Sequence, residues 1–204
     1  MRRRVLTALF LLAVQWSPAA SSAEETIVVV GDSLSSGYGL TAEQSWVSML
    51  EQRLDEQGYG YEVVNASISG DTTAGGLARL PALLESHSPA IVVIELGGND
   101  GLRGQPVASL RGNLDKMIEL SLASDAEVVL TGMQIPPNYG LAYTEAFANV
   151  YTELAAEHGL PLVSFLMEGV ALDARLMQGD RIHPNARGQV VMFENVWRVL
   201  EDLL

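Results

Sequence analysis

The chain contains no cysteine. Thiol nucleophiles and a lipid-modified N-terminal cysteine are thereby excluded, and a domain of this size needs no disulfide staple. Lysine is nearly as scarce, Lys116 being the single example, and 12 basic residues face 25 acidic ones. A basic stripe able to follow a phosphate backbone is missing, which excludes nucleic acid as a partner. The three histidines, His87, His158 and His183, are too dispersed to form a metal-ligand cluster, so no metal is expected. Long apolar runs are also missing. The longest near the N-terminus, Val5 to Val14, is well short of the roughly 20 residues needed to span a bilayer, so no stable membrane insertion is expected.

That apolar run follows Arg2, Arg3 and Arg4 and leads into "SPAASSA". A charged start, a short apolar stretch and small residues make the form of a secretory signal, expected over residues 1–23 with cleavage after Ala23. Residues 24–204 then form one domain destined for the periplasm or full secretion, expected to be monomeric. Losing three arginines and no acid leaves this domain with 9 basic and 25 acidic residues, a net charge of −16. Such a surface gives solubility and repels anionic membranes.

From Thr26 onward, short β-branched runs alternate with stretches of helical periodicity, the pattern of parallel strands joined by crossover helices. Strands are expected near 26–31, 61–65, 90–95, 126–131 and 161–164, and helices near 42–57, 73–86, 106–123, 140–158 and 185–203. "TIVVVG", "AIVVIELG" and "AEVVLTG" are apolar throughout, as befits strands covered on both faces. Polar clusters then fall at the carboxyl ends of strands, where such sheets place their sites. The loop "GMQIPPNYG", Gly132 to Gly140, is a candidate substrate wall.

The stretch "VVVGDSLSSGYGL" could cradle a phosphate or present Ser33. A P-loop would need a lysine after its glycines, and Asp32 would repel the anion. The dinucleotide string G-x-G-x-x-G and the elbow G-x-S-x-G are both missing. A serine nucleophile needs a base oriented by a carboxylate. His87 and His158 close predicted helices and have ordinary capping explanations. His183 lies three residues after Asp180 and before Pro184, a spacing that lets carboxylate and imidazole meet across one turn. Donors for an oxyanion could come from the backbone of Ser33, from Gly70 and from the Asn99 side chain. Taken singly, "SGDT" is equally a helix start with Asp71 or Thr72 as N-cap, and "GGND" is equally a glycine turn.

Taken together and in order, "GDSLS", the glycine of "SISGDT", the asparagine of "GGND" and "DRIHP" resemble the four blocks of the SGNH, or GDSL, hydrolases. The longer strings "VVNASISGDTTAGGLARLPALL", "VVIELGGNDGLRG" and "QIPPNYGLAYTEAF" resemble the bacterial branch of that family, which holds arylesterases, lysophospholipases and acyl-CoA thioesterases. The resemblance implies a flavodoxin-like three-layer α/β/α sandwich around a five-stranded parallel sheet. It implies Ser33 as nucleophile, His183 as general base and acid, and Asp180 as the residue that orients His183. Ser33, Gly70 and Asn99 would form the oxyanion hole, and neither metal nor organic cofactor would be needed. The implied substrate is a small-molecule or lipid acyl ester or thioester, with residues near Thr73 to Leu77 and Ile135 to Tyr139 holding the acyl chain. Two alternatives stay open: a carbohydrate or peptidoglycan O-acetylesterase with the same residues, and a secreted binding module without turnover.

Overall fold

The structure is a computed structural model that describes residues 25–204. The expected signal segment, 1–23, lies outside the described residues. Five strands form one parallel sheet: β1 (Glu25–Gly31), β2 (Tyr61–Asn65), β3 (Ile91–Glu95), β4 (Glu127–Thr131) and β5 (Leu162–Val163), in the order β2-β1-β3-β4-β5. The expected fold class is therefore the observed one. β1 and β3 carry unbroken runs of Val and Ile with no solvent exposure on either face, as strands covered by helices on both sides must. β5 is shorter than expected. Only Leu130↔Leu162 and Thr131↔Val163 pair before the chain leaves the edge.

Six helices surround the sheet: α1 (Trp46–Gln57), α2 (Thr73–His87), α3 (Gly98–Leu102), α4 (Val107–Leu122), α5 (Leu141–His158) and α6 (Ala186–Leu200). Right-handed crossovers dictate their sides. The step from β1 to β2 runs one way across the sheet, while β2 to β3, β3 to β4 and β4 to β5 all run the other way. α1 thus covers one face, and α2, α4 and α5 cover the opposite face. α2 packs on α4 and α4 on α5, while α6, the last helix, returns to pack on α1. The expected first helix, 42–57, divides into a 3-10 turn and α1 because Ser45, extended at φ −76°, ψ 148°, caps α1 by accepting from Ser48 N. Short α3 replaces the glycine turn read in "GGND".

The reversal in strand order at β1 opens a crevice between the carboxyl ends of β1 and β3, the position where open α/β sheets hold ligands. Val30↔Ile94 and Gly31↔Glu95 are register partners there. The residues that follow them, Asp32–Ser33 and Gly97–Asn99, are therefore neighbours whatever their separation along the chain.

Candidate active site

Ser33 occupies the first turn after β1. That turn is closed by backbone bonds from Ser36 N to Asp32 O (3.0 Å) and from Tyr38 N to Ser33 O (3.2 Å). Beneath it the Asp32 Oδ1 atom accepts from Leu34 N at 3.0 Å. Gly31 is required by close approach: a Cβ there would meet Glu95 Oε2 at 2.6 Å and the Ser35 side chain at 2.8 Å.

The segment Met177–Pro184 brings the other partner. An isolated antiparallel bridge between Met177 and Pro184 closes it, Gln178 N donates to His183 O at 2.7 Å, and Arg181 takes the left-handed conformation (φ 59°) at its tip. Within it, Asp180 Oδ1 accepts from the N–H groups of Ile182 (2.9 Å) and His183 (3.0 Å), and Asp180 Oδ2 lies 2.7 Å from His183 Nδ1. The hydrogen bond to His183, aided by the two N–H donors, holds the Asp180 carboxyl down at about 2. His183 Nε2 lies 2.9 Å from Ser33 Oγ. The Tyr38 ring, 4.5 Å from the imidazole centroid and tilted by 38°, covers its outer side. Carboxylate, imidazole and hydroxyl thus form one chain of contacts, bridging 150 residues of sequence.

Three groups were expected as oxyanion donors: the backbone N–H groups of Ser33 and Gly70 and the Asn99 side chain. Among the described residues, neither the Ser33 nor the Gly70 backbone N–H donates to a protein acceptor. Gly70 has φ 82°, and a Cβ there would meet nothing within 4 Å, so it is the left-handed backbone and not crowding that calls for glycine. Asn99, in the first turn of α3, donates one Nδ2 hydrogen to Asp32 Oδ2 at 2.8 Å, leaving the other free.

The loop that carries Gly70 is fastened by Arg79 of α2. Its guanidinium donates from Nε to Asp71 Oδ2 (2.9 Å), to the Ala66 carbonyl, and to Gly31 O (3.2 Å) at the end of β1. Thr72, one of the two residues read as possible N-caps, caps α2. Asp71 instead accepts from Thr72 N and Arg79.

Under the site lie two buried carboxyls. Asp32 is 2% exposed and Glu95 0%. Glu95 Oε2 accepts from Asp32 N (3.1 Å) and from Ser35 Oγ (2.5 Å), and Oε1 has no partner among the described residues. Burial raises the Asp32 carboxyl to about 6. Burial, reinforced by the nearby Asp32 charge, pushes Glu95 well above the usual carboxylate range. Neither was named as a site residue from sequence. The signal was there in Glu95, an acid ending an otherwise apolar strand.

An apolar cleft of about 990 Å³ opens beside Ser33 and His183. One wall is Met133–Pro137, as expected of the first half of the Ile135–Tyr139 segment; the other is Phe165–Leu172, which sequence reasoning missed. Thr73 to Leu77 do not line the cleft. Thr73 is buried and bonded through its N–H and Oγ1 to Asp100, at 2.9 and 2.6 Å, so this stretch supports the site instead of walling it. The remaining histidines lie elsewhere. His87 ends α2, and His158 ends α5 with its Nε2 2.7 Å from Asp115 Oδ1 of α4. No group of three or more His, Asp or Glu side chains suited to a metal occurs among the described residues.

The chain matches the family described as GDSL-like lipase/acylhydrolase over residues 29–191. It is 51% identical, over the full length of both chains, to the esterase TesA of Pseudomonas aeruginosa. To the thioesterase 1/protease 1/lysophospholipase L1 of Escherichia coli K12 it is 42% identical, over 96% of this chain and 91% of that one. A crystal structure of TesA superposes with a TM-score of 0.86 at 54% identity, covering 88% of this chain and all of the other. With an acylhydrolase fold and family match along most of its length, the chain belongs to the GDSL-like lipase/acylhydrolase family and is a carboxylic ester hydrolase.

Proposed function

We propose that the protein cleaves esters and thioesters of acyl chains through an acyl-enzyme on Ser33. The observation that carries the reading is the continuous chain Asp180 Oδ2 – His183 Nδ1 (2.7 Å) and His183 Nε2 – Ser33 Oγ (2.9 Å) beside an apolar cleft. Asp180 holds the tautomer with the proton on Nδ1, which leaves Nε2 as the base that takes the Ser33 proton during attack on the carbonyl. The oxygen that becomes negative is met by the N–H groups of Ser33 and Gly70 and by the free Nδ2 hydrogen of Asn99. Imidazolium His183 then protonates the departing alcohol or thiol, and water repeats the cycle to release the acid. No step calls on a metal or cofactor.

Asp32 would set the third donor. By accepting one Asn99 hydrogen it fixes which way the carboxamide faces, so that the amide nitrogen, and not its oxygen, meets the oxyanion. The apolar walls from Met133, Ile135, Phe165, Met167 and Leu172 favour an alkyl acyl group over an acetylated sugar. The names of the two curated relatives point to esters and thioesters alike. Export by the residue 1–23 signal, action as a monomer and residence in the periplasm or outside the cell complete the reading.

Ser33→Ala is expected to abolish hydrolysis of p-nitrophenyl esters while leaving the circular dichroism spectrum and Tm unchanged; retained turnover overturns the assignment. On the intact protein, a series of p-nitrophenyl esters from acetyl to palmitoyl, with an acetylated xylan alongside, should show kcat/KM rising with chain length. Preference for acetyl and for the sugar would favour the O-acetylesterase reading.

A further inference from the structure

His183 stands on a segment, Met177–Pro184, that belongs to neither a helix nor a strand of the sheet. A single bridge closes it, and it turns through Gly179 and the left-handed Arg181. Its base is tied to the start of α6: Asn185 N donates to Leu176 O at 2.8 Å, and Asn185 Nδ2 to the carbonyls of Arg175 (2.9 Å) and Met177 (3.2 Å). None of these bonds runs toward the turn that presents Ser33. Among the described residues, only two hydrogen bonds join 177–184 to 31–40. One is the contact of His183 Nε2 with Ser33 Oγ, which must break and re-form as the proton moves. The other comes from the side chain of Gln178. Its Nε2 donates one hydrogen to Tyr38 O at 2.7 Å and the other to Pro184 O at 3.0 Å, so both hydrogens of the amide are used, one on each segment. Pro184 directly follows His183, and the Tyr38 ring lies 4.5 Å from the imidazole, centroid to centroid. The Gln178 backbone N–H adds a bond to His183 O at 2.7 Å. Gly39 makes room for the amide, since a Cβ there would come within 2.5 Å of Gln178 Oε1. Gln178 itself is half-buried and does not line the cleft.

We propose that Gln178 is a positioning residue that latches the His183 segment to the Ser33 turn and so sets the distance between base and nucleophile. The inference rests on the reading of His183 as the base for Ser33. Asp180 fixes which imidazole nitrogen faces Ser33, but it lies in the same segment as His183 and cannot fix how far that segment stands from the end of β1. The Gln178 amide can, because it holds a backbone carbonyl on each side through bonds that the chemistry does not consume. The imidazole then returns to the same place after each proton transfer. A displacement of about 1 Å at a reacting group can cost on the order of a hundredfold in rate, which is the scale of what such a latch controls.

The test measures hydrolysis of p-nitrophenyl butyrate. Gln178→Ala is expected to lower kcat by about tenfold to a hundredfold and to change KM less than about twofold, because the amide does not line the cleft. Gln178→Glu keeps the shape but turns carboxylate oxygens toward the Tyr38 and Pro184 carbonyls, so it should lose at least as much. A Glu variant as active as wild type would mean that Gln178 only fills space, and overturns the latch. Both variants should keep the wild-type circular dichroism spectrum, and unfolding of both overturns the proposal in favour of a structural role. The same change is then made in a His183→Ala background, where no base is left to position. There Gln178→Ala should alter the residual turnover less than about twofold. An equal loss in both backgrounds would mean that Gln178 acts on the Ser33 turn alone, and overturns the proposal, as does no loss in the protein that retains His183. The low-field proton resonance of the Asp180–His183 pair should persist in Gln178→Ala, since that contact lies within the segment; its disappearance overturns the latch too. If His183→Ala retains wild-type kcat, the base reading fails and the latch with it. If His183→Ala is impaired and Gln178→Ala is not, the latch alone fails.

Discussion

Ser33, Asp32 and Glu95 occupy one small volume yet face opposite electrostatic demands. Asp180 is exposed and well solvated, and its three hydrogen bonds keep it ionised down to about pH 2, so mild acid leaves a carboxylate facing His183 Nδ1. Asp180→Asn would present an NH₂ group to Nδ1 and stabilise the wrong tautomer; kcat should fall by about a thousandfold or more with little change in fold. Asp32 behaves in the reverse sense. Its folded value of about 6 lies above the ordinary 3.8, so between these values the native state binds more protons than the unfolded chain. Its ionisation therefore costs stability as pH rises from about 4 to 6. Asp32→Asn should remove this component: wild-type Tm minus variant Tm is expected to decrease across that window, and a constant difference would contradict the burial. Glu95, pushed higher still by burial, is expected to be replaceable by Gln with small effect on Tm, because the amide reproduces a neutral acid whose Oε2 accepts from Asp32 N and Ser35 Oγ. Gly70→Ala has open space but the wrong φ, so about 1–2 kcal/mol of backbone strain should appear either as lost stability or as a displaced donor and lower kcat.

At the scale of elements, the site is assembled from the ends of secondary structure and held by side chains that reach between them. Arg79 in α2 ties together the end of β1, the Ala66 carbonyl and Asp71, so it sets where Gly70 stands relative to Ser33. Arg79→Lys keeps a positive charge but cannot reach three acceptors in a plane; kcat on p-nitrophenyl esters is expected to fall about tenfold or more while KM changes little. Strands and long helices were legible because their periodicity is dense: the Val/Ile runs of β1, β3 and β4, and the Leu/Val/Phe/Trp stripe of α6. Short α3 was not, since five residues beginning with glycine carry neither periodicity nor a side-chain cap. The Phe165–Leu172 wall was also missed, because a cleft wall made of irregular chain leaves no repeating pattern to read.

At the scale of the described residues, an apolar core with a few buried carboxyls, Asp32, Glu95 and Asp100, lies inside an acid-rich shell. With a net −16 on residues 24–204, surface self-repulsion opposes compactness at low ionic strength. Tm is expected to rise between 10 mM and 0.5 M NaCl as the repulsion is screened, and a flat or falling Tm would show that local ion pairs such as Arg111 with Glu153 and Glu157 dominate instead. The sheet order β2-β1-β3-β4-β5 places a crevice beside β1, which brings the loops after β1, β2 and β3 to one rim.

The order and identity of the polar blocks were already decided in the amino-acid sequence, as were the α/β class and the exclusion of thiol chemistry. Each of these depends on local pattern or composition, which a linear chain displays in full. The contact between Ser33 and His183, the buried Asp32–Glu95 pair and the fastening of the Gly70 loop by Arg79 were decided only by the tertiary structure. Burial and distance are properties of neighbours supplied by distant strands and helices, and a side chain's charge state and partners follow from them.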